Sequence, residues 1–180
     1  MKIGVISDTH DNLKSIQKAF EIFKENNVGL TIHCGDWISP FTFRFIIEQI
    51  KNTNIPLKGL LGNNPGDREK TEKVLSESNA PLELFFDDAI ELEIEGKKIA
   101  ICHGDDPSIL AALTTSEKYD AVFTGHSHKV RNEKINNVLV LNPGTTCFAI
   151  GTEITDTASI AIYDTDSNLA TITYFSIFPK

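Results

Sequence analysis

Short runs of Ile, Val and Leu alternate, through the first half of the chain, with longer segments whose apolar positions recur every three or four residues. That is the pattern of βα units. Lys2 to Ser7 predicts a first strand, and a helix from about Asn12 to Asn26 carries Leu13, Ile16, Ala19, Phe20 and Phe23 on one face. Gly29 to Cys34 predicts a second strand. Ser39 and Pro40, an N-cap and a first-turn proline, open an apolar-rich helix running to Ile50. Leu57 to Leu61 is the third strand, and the polar stretch Asp67 to Ser78 an exposed helix.

From Ala89 onward the apolar period shortens to two. Ala89 to Glu95 and Lys98 to Cys102 flank Gly96 as a hairpin, where pairing turns antiparallel. Asp120 to Thr124 is a further short strand. "KINNVLVLNPGTT" predicts a hairpin turning near Asn136 and Asn137, and "ASIAIYDTDSNLATITYF" another about Asp166 to Asn168. The expectation is an α/β start with a β-rich second half, without internal repeats or a linker that would split residues 1–180 into two domains.

Composition narrows the function classes. Seventeen basic against 25 acidic residues give a formal charge of -8, which opposes attachment to long nucleic acid or an anionic lipid surface. The apolar run after Lys2 meets Asp8 before it reaches the length of a secretory signal, and no segment approaches a membrane span. Cys34, Cys102 and Cys147 are odd in number and widely spaced, as expected of reduced thiols in a cytoplasmic protein.

The candidate chemistry lies where strands end. "VISDTH" places Asp8 and His10 directly after a strand, "IHCGD" places Asp36, "LLGNN" Asn63, "IAICHG" His103 and "VFTGHSH" His126 and His128. Each alone fits turn or cap chemistry. Together they put four of the five histidines at strand ends, and residues after successive strands gather at the carboxyl edge of an open α/β sheet. His33 precedes Gly35 inside a strand and is expected to pack in the core. A set of carboxylates, imidazoles and one amide oxygen, without thiolate, suits Mn, Fe, Ni, Co or Zn. Seven ligands exceed what one such ion needs and suit two ions sharing a carboxylate.

D-x-H, G-D, G-N, H and G-H-x-H, in this order from Asp8 to His128, resemble the signature of the calcineurin-like metallophosphoesterases. The short chain without an inserted cap is similar to their small bacterial and archaeal phosphodiesterase branch, to which the trafficking scaffold Vps29 is related. The resemblance implies a four-layer αββα sandwich of two mixed β-sheets flanked by helices. It implies two divalent ions, manganese first, with Ni, Fe, Co or Zn as alternatives: one held by Asp8, His10, Asp36 and His128, the other by Asp36, Asn63, His103 and His126. It also implies a hydroxide activated by both ions, attacking a small phosphodiester. A catalytically weak, Vps29-like interaction module that keeps the metal site is the alternative, and a homo-oligomer stays open.

Two positions depart from the pattern. Asn64 stands where many members carry a histidine that protonates the leaving group. As an amide it donates hydrogen bonds but no acidic proton, so contact with a phosphate oxygen is expected. Asp105 stands where relatives often have another histidine, and is expected either to cap the segment opening at Pro107 or to act from behind the ligands.

Overall fold

The computed structural model describes residues 1–147, 149–150 and 153–176. In chain order these form β1 (Lys2–Ile6), α1 (Leu13–Glu25), β2 (Leu30–His33), α2 (Pro40–Thr53), β3 (Leu57–Leu60), α3 (Arg68–Glu77) and β4 (Leu82–Phe85). Next come β5 (Ala89–Ile94), β6 (Lys97–Cys102), α4 (Pro107–Thr115), β7 (Ala121–Phe123), β8 (Val130–Ile135) and β9 (Val138–Pro143). The last elements are the short pair β10 (Ala149–Ile150) and β11 (Glu153–Ile154), then β12 (Ala158–Asp164) and β13 (Leu169–Phe175).

Two mixed sheets result, ordered β13-β12-β1-β2-β3-β4 and β5-β6-β7-β9-β8. In the first, β1 to β4 run parallel, while β12 joins β1, and β13 joins β12, antiparallel. The two sheets face each other across one apolar core. Ile3, Val5, Ile32 and Leu60 from the first sheet meet Ile99, Ile101, Phe123 and Leu141 from the second, and Tyr163 packs edge-on against Phe123 at 5.2 Å. The outer face of the first sheet is covered by the helices, through Ile16, Phe20, Phe43, Ile46 and Val74, and Leu110 and Leu113 of α4 cover Ala100, Val122 and Val138 on the other side. Four layers, αββα, follow from strands that are apolar on both faces. Among the described residues, no helix is long and apolar enough to cross a membrane.

The helices start where expected, but Ser39, the expected N-cap of α2, makes no capping bond with its side chain and turns its hydroxyl to Asp11. Asn12 accepts from the Ser15 amide at the start of α1, and Asp67 from that of Lys70 at the start of α3. The second sheet is mixed, as the resemblance implied: β5–β6 and β8–β9 are hairpins, whereas β6, β7 and β9 run parallel, with α4 crossing between the first two. A period of two records burial and carries no direction, so the crossover had to be seen. The four-residue edge strand β4 was missed because an alternation of that length, beginning just after Pro81, is too short to stand out.

Candidate metal centre

All seven expected ligands lie in one crevice, but not along one sheet edge. Asp8 and His10 follow β1, Asp36 follows β2 and Asn63 follows β3, all in the first sheet, whereas His103 follows β6 and His126 and His128 follow β7 in the second. Backbone bonds carry the ladders past the strand ends. Asp8 donates its amide to Gly35 O at 3.0 Å, His10 to Asp36 O at 3.2 Å, Asp36 to Leu61 O at 3.0 Å, and Gly125 to His103 O at 2.8 Å.

The local backbone is unusual there. Asp8, His10, Asp36, His126 and His128 all have positive φ, at 52°, 39°, 64°, 63° and 58°. Left-handed conformations cost non-glycine residues about 1 to 3 kcal/mol each, and such strain collects at functional sites. Glycines allow the close approach: a β-carbon on Gly62, whose φ is +86°, would collide with the amide and carboxylate of Asp36.

The carboxylates converge with histidines. His128 Nε2 lies 3.4 Å from Asp8 Oδ1 and 3.1 Å from His10 Nε2, which is 3.7 Å from Asp36 Oδ2. Asp8 and Asp36 are 0% and 2% exposed, and among the described residues no lysine or arginine pairs with either. Buried carboxylates need a cation or strong donors. His103, 3% exposed, donates Nδ1–H to Cys34 O at 2.8 Å, which turns its Nε2 toward Asp36 Oδ1 at 3.4 Å without a hydrogen bond. An imidazole held from behind through Nδ1, with Nε2 aimed at a buried carboxylate, is disposed as metal-ligating histidines are. The residues present therefore fit a divalent metal.

Electrostatics agree. Burial works to raise the Asp36 pKa, but His103 and the Asn64 donors outweigh it and hold the carboxyl well below the usual range. Burial likewise opposes a charged His103, yet Asp36 prevails and raises its pKa. Burial lowers the pKa of His10, against the pull of Asp36 and Asp8.

The other end of the crevice is open. Asn63 and His126 are exposed, with His126 Nδ1 3.0 Å from Asn63 Oδ1. Next to them a cavity of about 240 Å³ lies beside His103, lined also by Gly62, Pro65, Arg68, Phe86 and Asp105. The Arg68 guanidinium lies 4.2 Å over the Phe86 ring.

The two departing positions resolve differently from expectation. Asn64 faces Asp36: its backbone amide donates to Oδ1 at 2.9 Å and its Nδ2 to Oδ2 at 2.6 Å. The cap of α4 is Asp106, which accepts from the amides of Ser108 and Ile109, so Asp105 is left to border the cavity. His33 is fully buried, stacked on Trp37 at 3.6 Å, accepting from the Gly35 amide through Nδ1 and facing Thr9 Oγ1 at 3.2 Å.

Sequence reasoning missed a sixth strand end. At the end of β9 Asn142 donates to Gly125 O at 2.7 Å, and beyond it Thr145 Oγ1 donates to Asp8 O at 2.7 Å and Cys147 Sγ reaches 3.7 Å from His128 Nδ1. "NPGTTC" follows a strand as the five recognised stretches do, and that was the available signal. Cys147 clusters with His10 and His128, a neighbour that the expected ligand set did not include. Asp11 was also passed over; its Oδ1 gathers the Ser39 amide at 3.0 Å and the hydroxyls of Ser39 at 2.6 Å and Thr42 at 2.5 Å, tying the β1 loop to α2.

Residues 1–168 match the model of the calcineurin-like phosphoesterase superfamily domain. The chain belongs to this superfamily. It is 41% identical over 166 residues to phosphodiesterase MJ0936 of Methanocaldococcus jannaschii, covering 92% of this chain and 94% of that one. A probable metallophosphoesterase of Methanothermobacter thermautotrophicus is 30% identical over 80% of this chain and 76% of its own. The solved structure of an archaeal phosphodiesterase has a TM-score of 0.83 at 38% identity, covering 97% of this chain and all of that one. Vps29 of Entamoeba histolytica, solved with zinc, has a TM-score of 0.65 at 15% identity over 98% of this chain and 93% of its own, a likeness of fold alone. A calcineurin-like phosphoesterase is thus the frame in which the crevice is to be understood.

Proposed function

We propose that this protein is a phosphodiesterase working with two divalent ions. The observation that carries the reading is the meeting of seven N and O ligand side chains around two buried carboxylates that, among the described residues, face histidines and no lysine or arginine. Two ions, when bound, supply a hydroxide from water near neutral pH and offset charge on the phosphoryl oxygens. Asp8, His10, Asp36 and His128 would hold one ion and Asp36, Asn63, His103 and His126 the other, with Asp36 shared. Manganese is the first candidate for this mixed oxygen and imidazole set, with Ni, Fe, Co or Zn as alternatives.

The chain's own residues then have separate tasks. Asn64 holds both oxygens of Asp36 from behind, so the shared carboxylate keeps one orientation. The Cys34 carbonyl keeps the proton of His103 on Nδ1 and leaves Nε2 free to ligate. Strained loops fix the buried side, while the exposed Asn63 and His126 leave the crevice open to substrate. The cavity beside His103 accepts one ester arm, with Phe86 and Asp105 against it. A monoester would leave that space unused, and the name of the 41% identical relative also favours the diester. No side chain is needed as nucleophile.

The test is hydrolysis of bis-p-nitrophenyl phosphate and p-nitrophenyl phosphate by the manganese-loaded protein, with and without chelator. Preference for the diester by about tenfold or more, abolished by chelation and restored by manganese, is expected. Full metal occupancy with no turnover of either ester would replace the proposal by an interaction module of the Vps29 kind.

A further inference from the structure

We infer that Cys147 makes the His10–His128 end of the crevice a second, thiolate-bearing ligand set, one that takes a thiophilic divalent ion such as zinc or cobalt. It differs in chemistry from the carboxylate-bearing set of Asp8, His10 and Asp36, and it goes beyond the proposed diesterase reading without requiring turnover.

Geometry supplies the first support. One ligand atom from each of His10, His128 and Cys147 lies within 4.8 Å of the others, and the same holds for Asp8, His10 and Asp36. Two ligands on one zinc ion, an S and an N, stand at most about 4.4 Å apart, so small side-chain rotations close the thiol set on an ion. His10 belongs to both groups; its Nε2 is 3.1 Å from His128 Nε2, whereas Cys147 Sγ is 3.7 Å from His128 Nδ1, so the His128 ring must turn to offer one nitrogen to an ion shared with the sulfur.

The second support is the way the thiol is held. Thr145 is 2% exposed and anchors the turn after β9 to the β1 loop through the Asp8 carbonyl. Its hydroxyl also lies 3.1 Å from Cys147 Sγ and accepts the Cys147 amide at 3.1 Å. The sulfur is therefore placed by the same turn that braces Asp8, and it is only partly buried. Cys34 and Cys102 are 0% and 1% exposed and do not reach the crevice surface.

Ligand softness gives the consequence. Carboxylate and imidazole accept manganese, cobalt and zinc alike, and an added thiolate tilts the choice toward zinc and cobalt. Binding the thiophilic ion sends the thiol proton to solvent, and drawing His10 into this set takes it from Asp8 and Asp36. The chain then distinguishes metals by which neighbours His10 joins.

Cobalt titration of the intact protein, followed by absorption, tests this. A sulfur-to-cobalt charge-transfer band in the near ultraviolet, growing with the bound ion, is expected in the wild type and absent from both Cys147→Ser and Cys147→Ala. The ratio of zinc to manganese affinity should fall about tenfold or more in either variant. Circular dichroism and melting identify whichever variant stays folded. No band in the wild type, the same band in a folded variant, or an unchanged affinity ratio would overturn the inference. None of these readouts depends on ester hydrolysis, so failure of the diesterase proposal would register separately.

Discussion

The two ends of the crevice are built on different principles. At the buried end Asp8, Asp36 and His103 are 0%, 2% and 3% exposed, and continued ladder bonds, tight glycines and hydrogen bonds from behind fix them. At the open end Asn63 and His126 stand in solvent and touch mainly each other. The difference teaches that backbone strain and burial organise the tight part of the centre, whereas the outer part faces solvent, from which ion and substrate come. Substitutions at the two ends should therefore fail in different ways.

The largest effect is expected for Asp36→Ala. The shared carboxylate goes, so binding at both ends should be lost and diester turnover should fall about 100- to 1,000-fold or more, as measured by metal analysis beside kcat/KM. His126→Ala should instead spare the ion at the buried end and change the stability of the metal-free protein by less than about 0.5 kcal/mol, because the side chain is exposed. If His126→Ala emptied both ends, the two would not be separable.

Next comes Gly62→Ala. A methyl group at φ +86° against Asp36 should cost about 3 kcal/mol in urea unfolding of the metal-free protein. An unchanged midpoint would mean that the loop after β3 does not constrain Asp36. Asn64→Ala is milder: it removes the donor to Asp36 Oδ2 but keeps the backbone one, and should weaken metal binding about 10- to 100-fold with the fold intact.

The smallest effect is on pH dependence. Burial holds the His33 pKa well below 6.5, so the folded chain refuses a proton that the unfolded chain accepts as pH falls through 6.5. Stability of the metal-free protein should then decline on acidification, by up to about 1 kcal/mol per pH unit from this residue. Asp36 and His10, with lowered values, act in the same direction, while the raised pKa of His103 gives a contribution that is present below 6.5 and lost as pH rises through its folded value. His33→Gln should flatten the slope between pH 6.5 and 5, read from melting temperatures at each pH. An identical slope would remove His33 from the account.

Much of this was legible in the sequence, for definite reasons. Helix starts near Asn12 and Asp67 and turns at Gly96 and at Asn136 and Asn137 are local, so one stretch of chain contains the whole signal. The grammar of strand ends followed by ligand-type residues located all seven expected ligands in one crevice. What was not legible depends on partners far along the chain. Asn64 turns to Asp36, 28 residues away, and Cys147 comes beside His128 only because β9 lies next to β7. Asp105 and Asp106 are chemically identical, and only the path of the chain into α4 decides which one caps the helix.

Equilibrium dialysis of the wild-type protein against manganese, with metal counted per chain, tests the central claim most directly. The account predicts two ions per chain at saturation, taken up in two steps, with the tighter step surviving in His126→Ala. Saturation at one ion, or occupancy that never passes about half an ion per chain, would contradict it.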